Sequence, residues 1–173
     1  MKTKKIITII LFIGLITSTA GFAQKKTTYT HPTKNFHFEA GINWKNVKHI
    51  EDDLIYEMHD PENCIHVMLW FTETMSPPKN YLEKMADMKA YSWETGPNET
   101  IINDRKAWII DGEGTVYKEQ VKVMLASIPV YDKSHISHAN HIAQYIIQVW
   151  CPIEKYESKK DEMEDILASV NVK

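Results

Sequence analysis

Three of the eight histidines stand within seven residues, as His135, His138 and His141. Imidazole is a common ligand of zinc, copper and nickel, so this cluster points to a site for Zn²⁺ or another divalent metal. A structural zinc site needs a fourth ligand, which the nearby Asp132 could supply. The segment joins two predicted strands, and an exposed polar loop that binds no cofactor is the alternative interpretation.

The chain contains two cysteines, Cys64 and Cys151. A disulfide between them would close a long loop and stabilise the fold by about 4–5 kcal/mol through the unfolded state. Against this bond, Cys151 shares a strand face with Ile147, whereas Cys64 lies opposite Ile65 on its own strand. If the two apolar faces coincide, the sulfurs point apart, and two buried free thiols are the alternative.

The sequence predicts no catalytic residue. It has no Gly-x-Ser-x-Gly elbow and no His-Glu-x-x-His helix, and the four glycines after residue 23 are too few for a phosphate-binding loop. A small hydrolase that uses two carboxylates close in space is therefore only the third interpretation of the chain.

Five tryptophans and eight tyrosines form a large aromatic set. Most of them are expected to fill the core, where each buries a large area. Trp70, on the more polar face of a predicted strand, and Trp93, in a predicted loop, are the expected exceptions. Exposed tryptophans are typical hot spots of protein interfaces, so these two predict a site for a protein partner.

The N-terminus has the pattern of a secretory signal peptide over residues 1–23. A basic start precedes the apolar run Ile6–Ile16, and small residues follow at Gly21 and Ala23. Cleavage before Gln24 would leave an exported protein, periplasmic or secreted. The apolar run has eleven residues, whereas a bilayer span needs about 20, so no transmembrane anchor is expected after cleavage.

The remaining chain is acidic. Removing Lys2, Lys4 and Lys5 leaves 17 basic against 23 acidic residues, and Arg105 is the single arginine. Proteins that bind nucleic acid use arginine forks and basic patches, so a nucleic-acid partner is not expected. Residues 24–34 are polar and predict an N-terminal tail, and residues 35–173 have the length of a single domain.

Alternating apolar residues and turn signals divide the domain into strands and two helices. A mid-chain helix is expected from Asn80 to about Tyr91, and a C-terminal helix opens at Pro152. Gly112–Gly114 predicts a loop or bulge. Hairpins connect the expected strands, which are Asn35–Ala40, Leu54–His59, Cys64–Thr72, Thr100–Ile102, Lys106–Asp111, a strand through Val121–Leu125, and His141–Cys151. The fold class is therefore α+β, with an antiparallel sheet built from hairpins in a meander and both helices packed on it.

This order of elements resembles the PsbP-like fold. The residues that carry the resemblance are the aromatic opening Phe36–Trp44, the helix segment Tyr81-Leu82-Glu83 and the terminal helix ending at Ile166–Val170. The fold is shared with a Ran-binding protein and with effector-associated chaperones of bacterial secretion. The resemblance covers nearly the whole chain after the signal peptide, but no binding motif of the family matches position by position.

Known PsbP-like proteins mostly act without catalysis, by holding a protein partner or helping an assembly, and some bind metal ions. The resemblance therefore implies an exported, non-catalytic module that binds a protein or assists assembly. A metal- or small-ligand-binding module that uses the His135–His141 loop is the alternative.

Overall fold

A computed structural model describes residues 25–30, 36–47, 55–86, 91–130 and 140–172. The predicted signal peptide lies outside the described residues. Within these ranges no helix is long and apolar enough to cross a membrane. The strands are β1 Lys26–Thr30, β2 Phe36–Gly41, β3 Lys45–Val47, β4 Ile55–His59, β5 His66–Thr74, β6 Tyr91–Trp93, β7 Asn98–Ile102, β8 Arg105–Val116, β9 Glu119–Val130, β10 Ile142–Pro152 and β11 Asn171–Val172, and the helices are α1 Pro78–Ala86 and α2 Tyr156–Ser169.

The strands form two antiparallel sheets, which confirms the α+β prediction. In the larger sheet the order is β3-β4-β5-β10-β9-β8-β6, and β7 pairs with the first half of β8. The smaller sheet has the order β1-β2-β11. Short hairpins join β4 to β5, β7 to β8 and β8 to β9, because antiparallel neighbours need only a tight turn between them.

The main core lies between the two sheets and α2. Alternation along β5 and β10 directs Val67, Leu69, Ile147 and Val149 to one face, where they join β2 and the buried side of α2. Cys151 belongs to the same face. This packing explains the predicted C-terminal helix, which follows Pro152 through a short 3₁₀ turn and buries Met163, Ile166 and Leu167.

Helix α1 covers the opposite face of the large sheet. Its Leu82 is fully buried against Ile110, Leu125 and Ile146 of the three central strands. The helix begins at Pro78, two residues before the predicted Asn80, and the structure describes it as far as Ala86. Tyr91, predicted to end this helix, instead begins β6, whose backbone pairs with β8.

Strand β8 runs straight through the predicted loop at Gly112–Gly114. The glycines mark a close approach rather than a turn, because a Cβ built on Gly112 would stand 2.5 Å from the carbonyl oxygen of Ser92 and 2.8 Å from Cα of Trp93. A residue without a side chain lets β6 lie against β8 at this point.

Two hairpin turns contain no glycine. Asn103 and Asp104 form the β7–β8 turn with φ values of 47° and 63°. Tyr117 and Lys118 form the β8–β9 turn with φ values of 49° and 72°. Two successive positive φ angles are typical of the two-residue turns that match the twist of antiparallel strands.

Residues 26–30 form β1 rather than the predicted polar tail. Thr27, Thr28 and Tyr29 have high strand propensity, and the strand pairs along its length with β2. It is an edge strand with mostly exposed side chains, which explains its polar composition. The phenol of Tyr29 donates to the carbonyl of Gly41 at 2.8 Å and accepts from the amide of Trp44 at 3.0 Å.

Candidate functional site

An open groove lies between the β7–β8 hairpin and α2, with a volume of about 410 Å³. Ile102, Ile109 and Met124 of the sheet and Leu167 of α2 form its apolar lining. The short Asn103–Asp104 turn holds β7 beside β8, and α2 packs against β7 on the same side. The groove therefore combines an apolar floor with the last strand on this part of the sheet.

Charged side chains stand around this floor. Asp111 accepts a hydrogen bond from the Thr95 hydroxyl at 2.9 Å. Lys160 and Glu164 face each other one turn apart on α2, with Nζ and Oε1 3.8 Å apart and both side chains about half exposed. Burial raises the pKa of the Tyr156 phenol at the same site. The carboxylates of Asp111 and Glu164 and the ammonium of Lys160 give the rim a net negative charge.

Strand β7 is an edge strand beside the groove in the part of the chain that the structure describes. There it pairs with β8 alone, and its Ile101 is 65% exposed. The neighbouring Glu99 carboxylate is held by the Lys106 ammonium at 2.5 Å. Edge strands are usually protected by charges, proline or bulges, and an exposed β-branched residue on such a strand is a place where another chain can bind.

A second cluster of chemistry-bearing residues is enclosed on the α1 side of the large sheet. Glu57 is 1% exposed, and its two oxygens contact Nδ1 of His66 at 3.3 Å and the Tyr117 hydroxyl at 3.1 Å. Burial, the charge of Glu57 and this hydrogen bond raise the pKa of Tyr117. The imidazole of His66 also stacks on the Trp150 indole.

Sequence reasoning missed this cluster because its members come from three strands and a turn. The signal that could have identified it is the polar residue at position 57 within the apolar strand β4, where only a paired carboxylate is tolerated. The pairing between β4 and β5 then brings His59 opposite His66, and Glu57 lies two residues before His59 on the same strand. Glu57 and His66 are buried, and the hydrogen bond that the exposed Tyr117 donates to Glu57 attaches the β8–β9 turn to the sheet.

The two predicted disulfide partners are free, buried thiols in the structure. Burial raises the pKa of Cys151 to about 12, and the nearby Cys64 group adds to the shift. Burial and the Asp60 carboxylate likewise raise the pKa of Cys64. Asp60 accepts hydrogen bonds from the amides of Cys64 and Ile65 at the β4–β5 turn, so it is held beside the thiol. Neither thiol has the low pKa of a nucleophile.

His135 and His138 lie outside the described residues, so the predicted metal site stays a prediction. His141 is described and stands partly buried just before β10. Among the residues that the structure describes, no three histidine, cysteine, aspartate or glutamate side chains lie close enough to hold a metal ion.

The two tryptophans predicted as partner contacts lie on the α1 face of the sheet. Trp70 and Trp93 are partly buried and pack against the cluster around Leu82. Trp93 also contacts Tyr91, with ring centroids 5.1 Å apart and an angle of 38° between the ring planes. Their role in binding stays a prediction. The large apolar side chains that are most exposed among the described residues are instead Met75, Ile101 and Tyr117.

The same architecture occurs in solved structures. A cyanobacterial PsbP from Synechocystis sp. PCC 6803 superposes with a TM-score of 0.58 at 8% identity, over 92% of this chain and all of that one. The fold is PsbP-like. LpqN of Mycobacterium tuberculosis, described as involved in cell envelope biogenesis, shares it with a TM-score of 0.56 at 8% identity, over 85% of this chain and 90% of that one.

A protein of Bacteroides thetaiotaomicron shows the PsbP-like fold within a longer chain. Its TM-score is 0.51 at 9% identity, and the match covers 86% of this chain but 48% of that one. No protein-family model and no curated protein matches the sequence. At these identities the comparisons establish the shared fold, and they carry over no functional residue.

Proposed function

We propose that this chain is an exported, non-catalytic protein that binds another protein through the groove between the β7–β8 hairpin and α2. One observation carries the proposal. The side chains that could perform chemistry, Glu57, His66 and the two thiols, are enclosed and partnered or buried, whereas the open groove has an apolar floor and a charged rim. Such a surface fits recognition better than catalysis.

Two further observations support the proposal. The signal pattern over residues 1–23 favours export. LpqN, which has the same fold, is described as acting in cell envelope biogenesis. Binding through a preformed surface also agrees with a domain whose two sheets and α2 share one continuous core.

The proposal is tested by affinity capture with the purified chain on an envelope extract of the source cells. Ala168 is exposed at the mouth of the groove, and Ala168→Trp fills that mouth without touching the core. The matched control is Met75→Lys, a change at a 71% exposed side chain of another surface. We expect one protein to be retained in nearly equimolar amount by the unmodified chain and by Met75→Lys, and to be lost with Ala168→Trp.

Trp70→Ala and Trp93→Ala distinguish the second surface. Loss of the partner with these variants but not with Ala168→Trp would move the interface to the α1 face. If the unmodified chain retains no protein at native salt concentration, the proposed function is wrong.

A further inference from the structure

The groove and the β7 edge lie side by side, and together they define more than a general docking surface. In an antiparallel pair, every second residue of a strand forms backbone hydrogen bonds with the partner strand. The residues between them direct their N–H and C=O groups away from that partner strand. Among the described residues β7 pairs with β8 alone, and Thr100, Ile101 and Ile102 of β7 line the groove, so the outward-directed backbone groups of this strand have no strand partner there. A second extended segment could pair with them.

We infer that this site takes an extended segment of a partner protein, which adds to β7 as a strand and places an apolar side chain in the groove. The inference rests on the proposed function and names its recognition mode. Strand addition draws affinity from main-chain hydrogen bonds and specificity from pockets for alternate side chains. Here Ile101 lies on the outer face of β7, and Ile102, Ile109 and Leu167 line the pocket beside it.

The charges of the site indicate the chemistry of the segment. Asp111 and Glu164 outnumber Lys160 at the rim, and Lys160 already faces Glu164. The whole chain has a formal net charge of −3. A segment that alternates apolar residues with lysine or arginine would therefore complement both the floor and the rim.

The inference is tested by selecting random ten-residue peptides, displayed on phage, against the full purified chain. We expect enrichment of sequences in which apolar and basic residues alternate. Synthetic peptides of these sequences should bind at least tenfold more weakly to Ile101→Lys and to Ala168→Trp. Met75→Lys should bind them with the affinity of the unmodified chain. Ile101 and Ala168 are both exposed, and an unaltered urea midpoint confirms that the variants remain folded.

Backbone pairing has its own readout. On binding, alternate amides of β7 should become protected from hydrogen exchange, and amides of the Asn103–Asp104 turn should not. Equal binding to all variants, or no change in exchange along β7, would overturn the inference. Helical peptides among the enriched sequences would also overturn it.

The outcomes separate this inference from the proposed function. If a partner is captured but neither Ile101→Lys nor the peptides affect its binding, strand addition is wrong and the binding function stands. If the unmodified chain forms a concentration-dependent dimer that Ile101→Lys abolishes, the occupant of β7 is a second copy of this chain and the inferred partner segment is wrong.

Discussion

The imidazole of His66 lies flat on the indole of Trp150, with ring centroids 3.8 Å apart and an angle of 9° between the planes. Both residues are buried, and they stand opposite each other in the β5–β10 ladder. Glu57 reaches the same imidazole from β4, so one histidine joins three neighbouring strands. This arrangement makes His66 a structural residue whose loss exposes a buried carboxylate to an apolar environment.

Replacing His66 by leucine should lower the free energy of unfolding by about 3 kcal/mol, because a buried Glu57 loses a hydrogen-bonding partner. His66→Gln keeps a donor near the carboxylate and should lose clearly less. Urea unfolding followed by circular dichroism measures both variants. Equal losses in the two would show that packing on Trp150, rather than the partner of Glu57, explains the effect.

Tyr117→Phe tests the second bond to Glu57. The change removes the hydroxyl that donates to Oε2 but keeps the ring on Trp150, and we expect a loss of about 1 kcal/mol. A double-mutant cycle with Glu57→Leu, which removes the acceptor, isolates the pair. An unchanged effect of Tyr117→Phe in the Glu57→Leu background would contradict the assigned hydrogen bond.

Gly112→Ala should destabilise the protein by about 1–3 kcal/mol, because the new methyl group meets the β6 backbone. Gly96→Ala is the matched control, since a Cβ at position 96 has nothing within 4 Å. The control should change the free energy of unfolding by at most about 0.5 kcal/mol. Thermal unfolding of the two variants compares them, and similar midpoints would show that β6 can move away without cost.

Both cysteines should resist alkylation in the native protein. A pKa of about 12 for Cys151 leaves very little thiolate at pH 8, and burial restricts access to either sulfur. Iodoacetamide labelling read by mass spectrometry should add nothing within an hour in buffer and two groups in denaturant. Rapid native labelling would refute the burial, and no labelling in denaturant without reductant would reveal the disulfide.

Stability should fall at alkaline pH. Burial raises the pKa of Tyr145 and of Tyr56. Burial alone would lower the pKa of Lys122, but its hydrogen bonds to Glu94 and Glu113 outweigh that effect and raise it. A pKa raised on folding adds stability that is complete below the unfolded value, about 10, and is lost as the pH rises through the folded value.

The urea midpoint should therefore fall as the pH rises above the unfolded value of about 10. Tyr145→Phe removes one titrating group, and its midpoint should fall less above that pH. A midpoint that rises from pH 9 to pH 11 would contradict the direction of these shifts.

The sequence predicted the central strands well because their patterns are strong. β5 and β10 alternate over many residues, and Asp60–Asn63 and Asn103–Asp104 are clear turn signals. By contrast, β3, β6 and β11 have only two or three residues each, too few for a sequence pattern, and β11 pairs with a strand at the other end of the domain. Gly112 shows the same limit, because its role depends on the approach of β6, which no local pattern reveals.

The candidate site could be predicted only in part. The apolar stripe of α2 indicated Leu167 as a packing residue, but the groove exists because α2 crosses the sheet beside the β7–β8 hairpin, which is a matter of tertiary geometry. Likewise, Glu57 and Tyr117 are 60 residues apart and meet through the β8–β9 turn. Local sequence clusters do not reveal such residues, because the fold brings them together across strands.

The small sheet sets an order on folding during synthesis. Asn171 of β11 pairs with His37 of β2, and 134 residues separate them. The ribosome releases β2 long before its second neighbour exists, so this sheet closes only when the last segment of the domain has emerged. Contacts of such long range form late and slow the folding reaction.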